Sequence, residues 1–200
     1  MKPLRIMLWS AIFLIGGFLA WSTLGQLIGG NQPTGNFGTV KIEGDFKAVN
    51  TKGETVTRDA MLGRPHAVFF GFTHCPDVCP TTLYEAGLWL QEIGDKGDDI
   101  DVYFVTVDPE RDTAEVLGDY LRAFDSRISG ITGDADQIDK MVKAWRVYAR
   151  KVDTEDGYTV DHTATTFLMD AEGHLVSTIS YGEDSDVAVK KIRNLIDKSA

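Results

Sequence analysis

Apolar and polar positions along the chain follow two periods, and the switches between them mark out elements. Ala67-Val68-Phe69-Phe70-Gly71-Phe72 is an unbroken apolar run that follows Pro65 and ends at His74-Cys75-Pro76. That is the pattern of a strand buried on both faces and running into a loop. Val102-Tyr103-Phe104-Val105-Thr106-Val107 repeats it. Between the two, Leu83, Gly87, Leu88, Leu90 and Ile93 recur at helical spacing, and Pro80, suited to a first helical turn, puts the helix start there. A second helix is expected over Thr113 to Phe124 with Asp112 as N-cap, and a third from Asp134 through Trp145 with Ile138, Met141, Val142 and Trp145 on one face. A last one, Val187 to Ile196, turns Val189, Ile192 and Leu195 or Ile196 inward.

Period-two segments supply two hairpins. Phe46 to Asn50 and Glu54 to Thr57 flank Thr51-Lys52-Gly53, and Thr165 to Met169 and Leu175 to Ile179 flank Asp170-Ala171-Glu172-Gly173, each turn with a Gly where positive φ is wanted. The order hairpin, strand, helix, strand, helix, helix, hairpin, helix implies an α/β fold with a mixed central sheet flanked by helices. With a cysteine motif between the first buried strand and its helix, that order is the thioredoxin-like arrangement.

Ahead of this domain, Ile6 to Ile28 is 23 residues without a charge, long enough to cross a bilayer as a helix. A cleaved signal peptide and a buried core helix are the alternatives, but the apolar run continues through Leu24, Leu27 and Ile28, beyond a usual signal core. Lys2 and Arg5 precede it, so the positive-inside rule puts residues 1–5 in the cytoplasm, residues 6–28 in the membrane as an N-terminal transmembrane helix, and the domain outside. That is the topology of a single-pass protein of a bacterial inner membrane facing the periplasm. Residues 29–40, rich in Gly and Asn, read as a flexible linker, and residues 41–200 as the thioredoxin-like domain.

At 200 residues and 43% hydrophobic content, the chain suffices for one full core besides the anchor. The formal charge of −10 becomes more negative once Lys2 and Arg5 are set aside, a surface that repels phosphate backbones and excludes nucleic acid as a partner.

The chemistry lies in Thr73-His74-Cys75-Pro76-Asp77-Val78-Cys79-Pro80, which holds both cysteines of the chain. With the helix starting at Pro80, both sulfurs fall on the loop and cap at a helix N-terminus, where the dipole and free N–H groups favour thiolate. Two readings stay open. In an oxidising compartment such a pair forms a disulfide, and its four-residue spacing permits one. A thiolate pair is also the soft ligand set that selects Cu(I). A third ligand would then come from His66, His74, His162 or His174. His162 stands just before the closing hairpin, whose edge approaches the cysteine loop in a thioredoxin-like sheet. His174 lies at the far end of that hairpin, His66 begins a buried strand where its ring bonds to backbone, and His74, next to Cys75, has at most a supporting role.

Phe70-Gly71-Phe72-Thr73-His74-Cys75-Pro76-Asp77-Val78-Cys79-Pro80-Thr81 resembles, residue for residue, the copper motif of the Sco/SenC family of cytochrome oxidase assembly factors. Val107-Asp108-Pro109-Glu110-Arg111-Asp112-Thr113 resembles that family's second signature, and Asp161-His162-Thr163 falls where the family has its metal-binding histidine, usually followed by Ser. The resemblance covers about Phe46 to Ile196 together with the anchor. It implies one copper per monomer held by Cys75, Cys79 and His162, as Cu(I) and also Cu(II), and delivery to the binuclear CuA centre of cytochrome c oxidase subunit II. A periplasmic copper donor and a thiol reductant would be further partners. Asp108 matches a family acidic residue near the site, with a part in metal geometry or docking; its plain alternative is to cap the turn at Pro109.

The competing function is a thiol–disulfide oxidoreductase that reduces the recipient's cysteines, with Cys75 and Cys79 cycling through a disulfide. It has no need of His162. A peroxidase fits poorly around Cys75, and structural zinc lacks a fourth protein ligand.

Overall fold

The computed structural model of the protein describes residues 40–199. The expected transmembrane helix at 6–28 and the linker up to residue 39 lie outside the described residues. Among the described residues no helix is long and apolar enough to cross a membrane.

Two apolar strands form the centre. β3 (His66–Gly71) and β4 (Asp101–Thr106) run parallel, with His66 opposite Asp101 and Gly71 opposite Thr106. β5 (Ile128–Thr132) continues the parallel ladder beside β4, and β8 (Thr165–Met169) and β9 (Leu175–Ser180) add antiparallel strands beyond β3. The opening hairpin, β1 (Lys47–Asn50) and β2 (Thr55–Thr57), joins at β5, so the sheet order is β2-β1-β5-β4-β3-β8-β9. β6 (Ala149–Thr154) and β7 (Gly157–His162) pair separately as a two-stranded sheet.

Because side chains alternate along a strand, β3 feeds two cores. Ala67 and Phe69 face α1 (Val78–Ile93), α2 (Ala114–Leu121) and α4 (Ser185–Ser199), through Leu83, Leu90, Leu117, Val189 and Ile192. Val68 and Phe70 face α3 (Ala135–Ala144) and the opening hairpin, through Ile138, Met141, Trp145, Phe46 and Ala48. This is the expected mixed sheet flanked by helices, in the thioredoxin-like order, with the C-terminal ends of β3 and β4 opening towards the cysteine loop.

Three expectations are corrected. Helix α1 begins at Val78 rather than Pro80. A proline in the first turn breaks no intrahelical bond, because its N–H would be unpaired there anyway, so the helix starts ahead of it and Cys79 sits inside the first turn. The cap of α2 is Thr113, whose hydroxyl accepts from Val116 N–H at 3.3 Å, rather than Asp112. Asp112 is fully buried and its carboxylate is spent elsewhere. Finally, β5 and the β6–β7 hairpin were not expected at all. β5 is short and interrupted by Gly130, where a Cβ would meet Leu121, Thr51 and Leu117 at 2.7–2.9 Å. β6 and β7 are mostly polar and lie off the main sheet, so the apolar signal of a buried strand is missing; Asp156-Gly157 between Val152 and Val160 is the hairpin signal that marks them.

The cap assignment has a stability consequence. Thr113→Ala is expected to cost about 1 kcal/mol. Asp134 precedes α3 but makes no side-chain cap bond, and Asp134→Ala is expected to change stability by less than about 0.5 kcal/mol. Urea denaturation of the two variants checks the difference.

Candidate metal centre

Three segments converge on one spot. Gly71 ends β3 against the first turn of α1, where a Cβ on it would come within 2.7 Å of Cys79 Sγ, so only glycine lets the sulfur seat there. Cys79 is fully buried, while Cys75, on the loop before the helix, is half-buried. The Cys79 N–H points at Cys75 Sγ at 3.5 Å, one of the free helix-start donors turned on a sulfur. From the third segment, the end of β7, His162 brings Nε2 to 3.5 Å from Cys79 Sγ. The two sulfurs and one imidazole nitrogen all lie within 4.8 Å of one another, and both cysteines are free thiols.

The imidazole is oriented by what surrounds it. Its Nδ1 lies 3.1 Å from the Thr163 carbonyl, which can only accept, so Nδ1 carries a proton and Nε2 is the ring nitrogen turned towards the sulfurs. Phe72 and Phe69 meet the ring edge-on at 5.7 and 6.2 Å. His162 was expected on a loop; it is the last residue of β7.

The two thiols differ sharply. A hydrogen bond from the Cys79 thiol, aided by the backbone N–H groups of Cys79 and Asp77, pulls Cys75 down to about 5, against partial burial. Donating that bond, together with burial, pushes Cys79 up. The pair is thereby polarised, with thiolate character favoured at the half-buried Cys75 and the proton held on the buried Cys79.

The remaining singled-out residues fall into place around this group. His74 is exposed and not in it; its Nδ1 lies 3.0 Å from Thr73 Oγ1, whose own proton goes to Asp112 Oδ1 at 2.6 Å. Asp108, fully buried, does not cap the Pro109 turn with its side chain but pairs with Arg111 Nε and accepts from the Tyr158 hydroxyl at 2.8 Å. His66 bonds the Arg64 carbonyl at 3.1 Å, as expected for a strand-entry residue. His174 is half-buried beside Asp170 and Glu172, where Asp170 is engaged in closing the β8–β9 turn, accepting from the backbone N–H of Glu172 at 3.1 Å and of His174 at 2.7 Å. Residues missed by sequence reasoning are Asp112, Arg111 and Tyr158. Asp112 accepts from Thr73 N–H (3.0 Å), Thr73 Oγ1 and Thr106 Oγ1 (both 2.6 Å), tying the cysteine loop to the end of β4. The only signal for Asp112 and Arg111 was their place in the second signature, which does not say what they touch.

A thioredoxin-like domain with two cysteines at its first helix and a histidine facing them defines a class of thiol-redox or soft-metal proteins. A family model described as SCO1/SenC matches residues 35–197, and the chain belongs to that family. It is 35% identical over 164 residues to the mitochondrial protein SCO2 of Saccharomyces cerevisiae, covering 80% of this chain and 54% of that one. An SCO2-like protein of Rickettsia felis is 37% identical over 137 residues, 67% of each chain. Among solved structures, Bradyrhizobium japonicum ScoI with copper bound has 41% identity and a TM-score of 0.71, covering 76% of this chain and 98% of that one. The chain spans about half the length of the yeast and plant relatives it matches.

The thiol asymmetry sets a pH expectation. In the reduced protein, iodoacetamide should modify Cys75 and spare Cys79, with the rate at Cys75 rising as pH increases through about 5. Labelling at both sites, or a midpoint near the ordinary thiol value of about 8.5, contradicts the arrangement.

Proposed function

We propose that the chain is a metallochaperone that binds one copper ion through Cys75 Sγ, Cys79 Sγ and His162 Nε2 and delivers it to the CuA centre of cytochrome c oxidase subunit II during oxidase assembly. The observation that carries the reading is the convergence of two sulfurs and an imidazole nitrogen within 4.8 Å, a donor set that selects Cu(I) while the imidazole also serves Cu(II). Membership of the SCO1/SenC family supports it, as does the likeness to a ScoI solved with copper bound. The Sco family is described, for its member BsSco, as one of cytochrome c oxidase assembly proteins.

Three protein ligands leave one side open to an incoming donor or recipient, and Cys75 is the less buried of the two sulfurs. The copper is cargo, so the site has to hold it and also let it go by stepwise exchange of ligands. Residues 6–28 anchor the domain in the inner membrane with residues 1–5 in the cytoplasm, residues 29–40 as tether, and residues 41–200 on the periplasmic side. There a copper donor loads the site and a thiol reductant keeps it open, since a Cys75–Cys79 disulfide uses both sulfurs.

A second reading is favoured by the unequal thiols. A low-lying, accessible Cys75 and a buried Cys79 are the attacking and resolving pair of a dithiol reductase. Cys75 thiolate would attack a disulfide of the recipient, Cys79 would displace the recipient from the mixed disulfide, and two electrons would pass to subunit II. In that chemistry His162 would only help to hold Cys75 as the thiolate, and it would bind no metal.

Copper titration therefore separates them. Reduced wild type should bind one Cu(I), and His162→Ala should bind it more weakly by more than the roughly 10- to 100-fold cost of losing a mere supporting contact. Protein oxidised to the disulfide should bind none. Unchanged affinity and stoichiometry in His162→Ala, or equal binding by oxidised protein, sinks the proposed site.

A further inference from the structure

β6 and β7 form no strand pairing with the seven-stranded sheet, so the arm that carries His162 depends on side chains for its seat. Val160 supplies an apolar contact to the core under α1 and α4. The polar contact is Tyr158, and it runs through Arg111. The Arg111 guanidinium lies 3.8 Å from the centroid of the Tyr158 ring and 5.8 Å from that of Phe72. Its Nη1 donates to the Tyr158 carbonyl at 3.1 Å, and its Nε pairs with the fully buried Asp108, which also takes the Tyr158 hydroxyl at 2.8 Å. Phe72, the second ring near the guanidinium, stands at 87° to the His162 ring, 5.7 Å away. Lys151 Nζ covers the Tyr158 ring at 4.6 Å and pairs with Glu110 at 2.6 Å, a second tie between the arm and the loop after β4.

We propose that Arg111 is a positioning residue for the third metal ligand: set against the rings of both Phe72 of the cysteine loop and Tyr158 of the β6–β7 arm, and fixed by Asp108, it sets how closely His162 Nε2 approaches the two sulfurs. The inference rests on the copper-site reading above. Arginine is required because three directions are used at once, with Nε to a carboxylate, Nη1 to a carbonyl and a flat face to a ring. A lysine ammonium supplies one of them. The Arg111 Nη2, buried without a hydrogen-bond partner among the described residues, belongs to the same guanidinium plane that stacks on Tyr158. Arg111 touches no donor atom of the site, so it acts on copper through the geometry of His162.

The test is a double-mutant cycle on the reduced full chain, with Cu(I) affinity read by competition against a chromogenic chelator. Arg111→Ala should weaken binding about 10- to 100-fold when His162 is present. In the His162→Ala background it should change affinity by no more than about twofold, the usual scatter of additivity. Arg111→Lys should retain most of the loss, and the Cu(II) electron paramagnetic resonance spectrum of Arg111→Ala should move towards that of His162→Ala. If Arg111→Ala does not fold, Tyr158→Leu, which leaves the buried Asp108–Arg111 pair in place, carries the same cycle. Equal losses in both backgrounds, or none in either, overturn the positioning role alone. A His162→Ala variant that binds copper like the wild type overturns the ligand reading and the positioning role together.

Discussion

A carboxylate buried without a cation has to be met by hydrogen-bond donors, and Asp112 finds them in the loop that carries the cysteines. Its oxygens take the Thr73 N–H, the Thr73 hydroxyl and the Thr106 hydroxyl. Leaving such a group unmet costs several kcal/mol, so the start of the cysteine loop cannot drift from the end of β4. The Asp112 carbonyl is used as well, accepting from the Thr132 hydroxyl of β5 at 2.6 Å. One residue thereby joins the ends of two parallel strands to the loop leading into α1, the loop that carries Cys75.

From this fixed platform the two cysteines acquire different characters without any special composition. The helix start aims N–H groups at Cys75, while the glycine at the end of β3 makes room for Cys79 in the core. The asymmetry suits both proposed chemistries, because an accessible thiolate can be a first ligand or a first nucleophile. What distinguishes a metal site from a bare dithiol is the arm from β7. It delivers an imidazole held at Nδ1 by the Thr163 carbonyl with Nε2 turned to the sulfurs, and it is seated by a part-buried ion pair and a stacked arginine instead of by strand pairing.

Much of this was legible in the sequence, and the reasons differ by element. β3 and β4 are apolar on both faces and identify themselves as central strands; β8 and β9 carry alternation and a Gly turn. The cysteine motif marked the loop, and the expectation that His162 faces it rested on a resemblance more than on any periodic signal. Sequence reading failed where tertiary contacts override local preference. Asp112 looks like a helix cap, and only its hydrogen bonds to Thr73 and Thr106 explain why Thr113 takes that role. Pro80 looks like a helix boundary, yet it fits as the third residue of the helix, still within the first turn. The β6–β7 arm is polar, so the pattern that reveals buried strands is silent, and the partnership of Arg111 with Tyr158, 47 residues apart, leaves no local trace.

The central claim is that the Cys75–Cys79–His162 group hands on a metal ion, with thiol exchange as its preparation. The most direct measurement mixes copper-loaded protein, as residues 41–200, with the isolated copper domain of oxidase subunit II, offered both pre-reduced and as its disulfide, and follows copper and thiol content on each partner. The account predicts that copper moves to the pre-reduced recipient while Cys75 and Cys79 remain reduced. Copper that stays in place while the recipient's disulfide is reduced, and Cys75 and Cys79 become oxidised, would contradict it.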